Sequence, residues 1–290
     1  MVLVTSADRR SALRTAAGLA ATAAAFGSGC SATPPAPPTP QNPQHPQNPQ
    51  SPQHPQKRRN PQSPGDAQSP RDLRNPQASP PTAAGPRRFP AQPAQIAHGP
   101  RDRSRVALTF HGNGDPATAA ALLDEAERHD ARVTVLAVGT WLDEHPALAR
   151  RALDGGHELG NHTLRHLDIN AMPEAEALAE ITGCADRLKR LTGSIGTWFR
   201  PSRAARASPL VERLARRAGY PHVLSYDVDS LDFTGPGGPA VARTVLGSVR
   251  GGSVVSLHFG YTDTVAALPA VLDELDRRGL RAVTTTELLS

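Results

Sequence analysis

The stretch Gly160-Asn161-His162-Thr163-Leu164-Arg165-His166 carries two histidines four residues apart. On a helical turn this spacing puts both rings on one face, where imidazole nitrogens can hold a zinc ion at about 2.0–2.1 Å. The plain alternative is a histidine pair on a solvated helix face. Position favours the metal, because the pair follows a segment, His157–Gly160, that reads as the end of a strand. Other residues able to do chemistry share that placement. His111 with Asp115, Arg200, Asp229 with Asp232, and His258 all fall at or just past the end of an apolar, β-rich run. Together they compose a metal site with an arginine, carboxylates and a further histidine.

Two other chemistries find little support. No Gly-x-Ser-x-Gly turn occurs, so a serine nucleophile on a strand-to-helix elbow is not indicated. Gly112-Asn113-Gly114-Asp115-Pro116-Ala117 fits a loose dinucleotide fingerprint after the first strand. The second strand, however, ends in Val138-Gly139-Thr140, without the acidic residue that would bind a ribose.

The elements that must position these groups alternate. Strands are expected over Val106–Phe110, Arg132–Val138, His157–Gly160, Thr197–Arg200, His222–Tyr226, Ser253–His258 and Arg281–Thr284. Helices are expected over Pro116–Arg128, His145–Leu153, Pro173–Leu191, Pro209–Ala218, Pro239–Ser248 and Thr262–Arg278. Asp115-Pro116 has the form of a helix start, an N-cap carboxylate before proline at the first helical position, and this gives Asp115 an ordinary structural role beside any catalytic one. Such alternation implies an α/β fold with a parallel sheet, doubly wound or closed into a barrel, and a site at the carboxyl ends of the strands.

The first third of the chain reads differently. Arg9-Arg10, a short weakly apolar run and a small-residue end at Cys30 make residues 1–30 an export signal, of twin-arginine type by its paired arginines. Cys30 stands where a lipoprotein would be lipidated, although Gly27 replaces the usual Leu; ordinary signal-peptidase cleavage nearby is the alternative. The chain is therefore expected to be exported, either held at the cell surface through Cys30 or secreted. Residues 31–103 form a Pro- and Gln-rich spacer with a nearly three-residue repeat, expected to be disordered, and His45 and His54 belong to that repeat. This segment carries nine Lys or Arg against three Asp or Glu, so the sequence pI of 9.8 describes the spacer. A basic arm suits anionic wall polymers or lipid head groups. The domain expected over 104–290 is slightly acidic and shows no basic stripe, which speaks against nucleic acid. With two cysteines, Cys30 and Cys184, no disulfide framework is expected, and Cys184 reads as a small buried apolar residue of a monomeric domain.

From about Arg105 to Leu289 the chain resembles the polysaccharide deacetylases with a NodB-homology domain, carbohydrate esterase family four. Leu108-Thr109-Phe110 is similar to the start of the family's first motif and Gly156 to His166 to its second, metal-binding motif. Phe199-Arg200-Pro201 matches the third, Asp229-Ser230-Leu231-Asp232-Phe233 the fourth, with Phe for Trp, and Leu257-His258 the fifth. The resemblance implies a distorted (β/α) barrel of about seven parallel strands. It also implies metal-dependent removal of N- or O-acetyl groups from a glycan such as peptidoglycan or a chitin-like chain. One departure stands out. The family's first motif reads Thr-Phe-Asp-Asp-Gly, its first aspartate the base and its second a metal ligand; here the register reads Thr109-Phe110-His111-Gly112-Asn113.

Two readings follow. In one, His111 joins His162 and His166 around a divalent metal, most simply zinc, and Asp115 or His111 receives the proton of water. The resemblance gives Arg200 the part of the arginine that steadies the base carboxylate; beside an imidazolium at 111 it would be repelled, which argues for a neutral His111, and His258, oriented by Asp232, protonates the leaving amine. In the other, the groove binds glycan at the cell surface without hydrolysing it. Trp198, Phe233 and Tyr261 could line a sugar-stacking groove in either case.

Overall fold

The computed structural model describes residues 83–290. The export signal at 1–30, Cys30 and the repeat through residue 82 lie outside the described residues. Among the described residues no helix is long and apolar enough to cross a membrane.

The core is a curved sheet of parallel strands. Strands β1 (Gln95–Ile96), β2 (Arg105–Gly112), β3 (Thr134–Ala137), β4 (Glu158–Asn161), β5 (Val223–Leu224), β6 (Val228–Asp229), β7 (Val254–His258) and β8 (Arg281–Ala282) are interleaved with helices. Those are α1 (Pro116–Arg128), α2 (Gly139–Glu144), α3 (Pro146–Asp154), α4 (Glu174–Thr192), α5 (Pro209–Arg217), α6 (Gly238–Ser248), α7 (Thr262–Arg277) and α8 (Thr285–Leu289). One run pairs in the order β4-β3-β2-β7-β6, with β8 beside the start of β2. Phe199 bridges Asn161 of β4 to Val223 of β5, and β5 pairs β1. This is the expected distorted barrel, thinned at Thr197–Arg200, where a single bridging residue replaces a strand.

Strand periodicity separates the two faces. On β2, Val106, Leu108 and Phe110 join the apolar layer under the helices, while Ala107 faces inward beside Leu136, Trp198 and Val254. Thr109 and His111 share the inward parity of Ala107, and Ser256 and His258 that of Val254. The barrel interior is therefore apolar in its middle and polar at both ends. At the lower end Glu158 accepts hydrogen bonds from Thr134 Oγ1 and Trp198 Nε1, both at 3.1 Å, and from Thr286 Oγ1 of α8. Burial pushes the Glu158 carboxyl up, and the bonds from Thr286 and Thr134 oppose the shift.

Three sequence expectations need correction. The folded unit does not begin at residue 104. Phe89 stacks on Trp198 with ring centroids 5.6 Å apart, Ile96 is fully buried, and both nitrogens of His222 bond the incoming segment, at Phe89 N and Pro93 O. The 31–103 spacer is thus too long at its C-terminal end, because residues 83–103 form a strap with its own strand. The expected helix over His145–Leu153 is preceded by a separate one, α2, with Pro146 opening the second. The last strand is shorter than expected, and Thr284, in a reciprocal capping box with Glu287, starts α8 instead.

Candidate metal centre and cleft

His111 sits one residue before the end of β2 and is the register partner of His258 on β7. Their ring centroids are 4.2 Å apart, and His162 approaches His111 from the other side at 4.4 Å. His166 packs on His162 at 4.8 Å. One ligand nitrogen from each of His111, His162 and His166 can be chosen so that all three lie within 4.8 Å of one another.

His162 and His166 do not share a helical turn, contrary to the expectation from their spacing. After β4 the chain forms a loop in which Thr163 and His166 take left-handed backbone, at φ 69° and 57°. That conformation is uncommon outside glycine. It is held from three sides: Asn161 Oδ1 accepts from Thr163 N, Glu180 of α4 binds Arg165 through backbone and guanidinium, and Thr163 Oγ1 donates to Ser202 Oγ. The rings converge because the loop folds back.

The protonation pattern suits a cation. His162 Nδ1 donates to the Arg200 carbonyl at 3.0 Å, which leaves Nε2 unprotonated; that nitrogen is buried and has no partner among the described residues. A buried acceptor without a donor is costly unless something else fills the role. Burial first, then the neighbouring imidazoles, holds His111 and His162 well below the usual histidine range. Burial and next the Arg203 charge lower His166. All three rings are therefore neutral and free to donate lone pairs, which is the form a metal requires. Ser256 Oγ lies 3.1 Å from His111 Nε2. Strand parity could have singled out Ser256, two residues before His258 on the same face.

His258 and Asp232 meet as expected. Asp232 Oδ1 lies 2.6 Å from His258 Nδ1, while Oδ2 accepts from His258 N and from Thr264 Oγ1 at 2.8 and 2.7 Å. Burial would raise the Asp232 carboxyl, but the bonds from His258 and Thr264 outweigh it and hold it below the usual carboxylate range. The anion fixes Nδ1–H toward itself and leaves Nε2 for exchange with a ligand.

Arg200 is fully buried. Its Nε and Nη2 donate to the carbonyls of Leu224 and Ser225, its Cζ lies 5.3 Å from the Tyr226 ring centroid, and Nη1 has no partner among the described residues. Burial lowers its pKa to about 10.

Asp115 is not brought to this centre. Its exposed Oδ1 accepts from Ala117 N and Thr118 N at 2.9 and 3.0 Å and caps α1, and it does not line the cleft. The capping reading of Asp115-Pro116 holds and the catalytic one has no geometric support. Nor has Gly112 room for a carboxylate. A Cβ there would lie 2.9 Å from Val135 Cγ1 and 3.0 Å from Ala137 Cα. Trp198 is also excluded from the groove: it is 1% exposed and bonds Glu158 in the interior.

The histidines open into a cleft of about 330 Å³ lined also by Arg203, Tyr226, Asp229, Phe233 and Tyr261. Phe233 and Tyr261 flank His258 at 5.5 and 5.8 Å and are 46% and 38% exposed, so two of the three expected aromatics do reach the groove.

Residues 98–223 match the family model described as polysaccharide deacetylase. A peptidoglycan-N-acetylglucosamine deacetylase of Bacillus cereus is 31% identical over 194 residues, covering 66% of this chain and 90% of that protein. Among solved structures, a peptidoglycan N-acetylglucosamine deacetylase in complex with 4-naphthalen-1-yl-N-oxidanyl-benzamide superposes with a TM-score of 0.64 at 26% identity. That match covers 68% of this chain and 92% of the other. A CE4 family pseudoenzyme from Bacillus anthracis shares the fold with a TM-score of 0.65 at 23% identity over 69% of this chain and 70% of that one.

Proposed function

This chain belongs to the polysaccharide deacetylase family, and on that premise we propose that it is a metal-dependent hydrolase that removes acetyl groups from an N-acetylated polysaccharide, peptidoglycan foremost. The observation that carries the reading is the buried, partnerless His162 Nε2, which converges with His111 and His166 beside the Asp232–His258 pair. Three neutral imidazoles suit zinc. His111, His162 and His166 would hold the ion, which supplies Lewis acidity toward an amide carbonyl and makes water more acidic at neutral pH.

This chain's own groups do the rest. Phe233 and Tyr261 offer faces on which a sugar ring can rest. His258 Nε2 gives a proton to the departing amine, and Asp232 stabilises the imidazolium that precedes that transfer. Burial first, then the neighbouring imidazoles, keeps His111 unprotonated, and the Arg200 charge adds to this in the same direction. With Asp115 diverted to its cap, His258 would serve twice, taking the proton of the attacking water at Nε2 and then passing it to the departing amine.

A second reading has its own observation. Among the described residues Arg200 Nη1 has no hydrogen-bond partner, carboxylate or other, as a site that binds glycan without hydrolysing it would allow. The two are separated by acetate release from an N-acetylglucosamine oligomer, with and without added zinc. The hydrolase reading expects zinc-dependent release, abolished by His258→Ala. Binding of the oligomer with no acetate released under any metal would leave the second reading. Residues 1–30 and the basic spacer support export and contact with anionic wall polymers or lipid head groups.

A further inference from the structure

Arg203 is an exposed cation at the cleft that forms no salt bridge among the described residues. It lines the cleft with His111, His166 and His258, and it is the one Lys or Arg among the lining residues described. Among the described residues it forms none of the carboxylate pairs that hold Arg151, Arg187 and Arg277. It is also in left-handed backbone, φ 56°, which an arginine adopts at a cost. Both flanks are pinned. Ser202 Oγ donates to the Leu167 carbonyl and receives a bond from Thr163 Oγ1; Ser225 Oγ donates to the Ala205 carbonyl. The bonds tie this turn to the histidine loop on one side and to the end of β5 on the other, so Arg203 is held in the cleft wall.

A guanidinium is a planar fork matched to carboxylate, and it gains most where a partner is partly withdrawn from water. Resting on the reading of the cleft as a glycan site, we propose that Arg203 is a specificity residue: it pairs with a carboxylate carried by a sugar of the bound chain and directs the cleft to acidic N-acetylated glycans over neutral ones. Phe233 and Tyr261 provide the apolar faces beside His258, and Arg203 provides the one charged anchor for an anionic substituent. Asp229 shares the lining, so the acidic substituent must face Arg203 and turn away from Asp229, which gives the bound chain a direction.

The test compares three oligomers of equal length in the full chain with zinc: neutral N-acetylglucosamine, one bearing lactyl-ether carboxylates, and one bearing uronic-acid carboxylates. Both Kd and kcat/KM are read at low salt. Wild type should favour an acidic oligomer by about tenfold, the size of one good charge-assisted contact, and the preferred acidic oligomer identifies the source of the carboxylate. Arg203→Ala should bring the acidic-to-neutral ratio near one. Arg203→Lys, which keeps charge and loses the fork, should fall between. Arg206→Ala, outside the cleft lining, should keep the ratio. Equal treatment of all three oligomers by wild type, or a ratio that survives Arg203→Ala, overturns the proposal. If no oligomer releases acetate, the deacetylase reading fails, and the Kd ratio still decides the role of Arg203.

Discussion

His111 faces His258 directly across the β2–β7 ladder, with ring centroids 4.2 Å apart, in a cluster of four imidazoles beside a buried arginine. No two neighbours in such a cluster can be charged together at low cost. Burial holds His111, His162 and His166 below the usual histidine range, and an ion bound by these three competes with protons for the same lone pairs.

This sets a pH dependence. His111 and His162 have folded-state pKa values below their ordinary 6.5. In the window below 6.5 the unfolded chain binds protons that the folded chain refuses, so the metal-free protein loses stability as pH falls. Melting curves from pH 8 to 5 in chelator should show this slope, and His162→Ala should flatten it. Zinc should raise Tm most at the upper end, by mass action on the folded state. An identical slope in the variant would mean that other histidines set it.

Asp232→Asn should leave zinc bound while lowering acetate release about 10²–10⁴-fold, the usual cost of a lost acid–base group. The asparagine can present an N–H where Asp232 now accepts from His258 and Thr264, so the ring loses its fixed orientation. Metal content and turnover, measured on one preparation, check it; turnover near wild type would remove His258 from the proton transfer.

A chain beginning at residue 83 should melt like the full chain, and one beginning at residue 104 should not. The shorter chain loses Phe89 from Trp198, the fully buried Ile96 and the β1–β5 ladder. Deleting a large buried side chain alone costs on the order of 2–5 kcal/mol. Equal melting temperatures for the two truncations would show that the strap adds nothing.

That strap marks what the sequence made legible and what it did not. Strands with several apolar positions, such as Arg105–Gly112 and Val254–His258, show their two faces by alternation, and Asp115-Pro116 marks the start of α1. Gln95–Ile96 has two residues in a Pro- and Gln-rich setting, too few for any period, and its order comes from partners far along the chain, Val223 and His222. The histidine spacing singled out two rings that do converge, though not through a helical turn, because the convergence of His162 and His166 depends on Asn161, Glu180 and Ser202 bracing a left-handed loop. Asp115 lay near the site in sequence, and only the geometry of its cap separates it from the cleft. Arg203 carried no signal, since its meaning lies in which residues share its cleft.

Export and anchoring rest on residues 1–30 alone. If Cys30 carries lipid, Cys30→Ser should move the protein from the membrane fraction to the medium, as fractionation and blotting would report. An unchanged membrane fraction would count against lipidation.

The three-histidine centre is tested most directly by the zinc affinity of His111→Ala, measured by chelator competition against wild type. Wild type should bind one ion per chain. The variant should lose more than the roughly 10–100-fold that removal of an outer-shell partner costs, because a direct ligand is gone. Equal zinc affinity in the two proteins, or no zinc bound by wild type, would contradict a metal centre built on His111, His162 and His166.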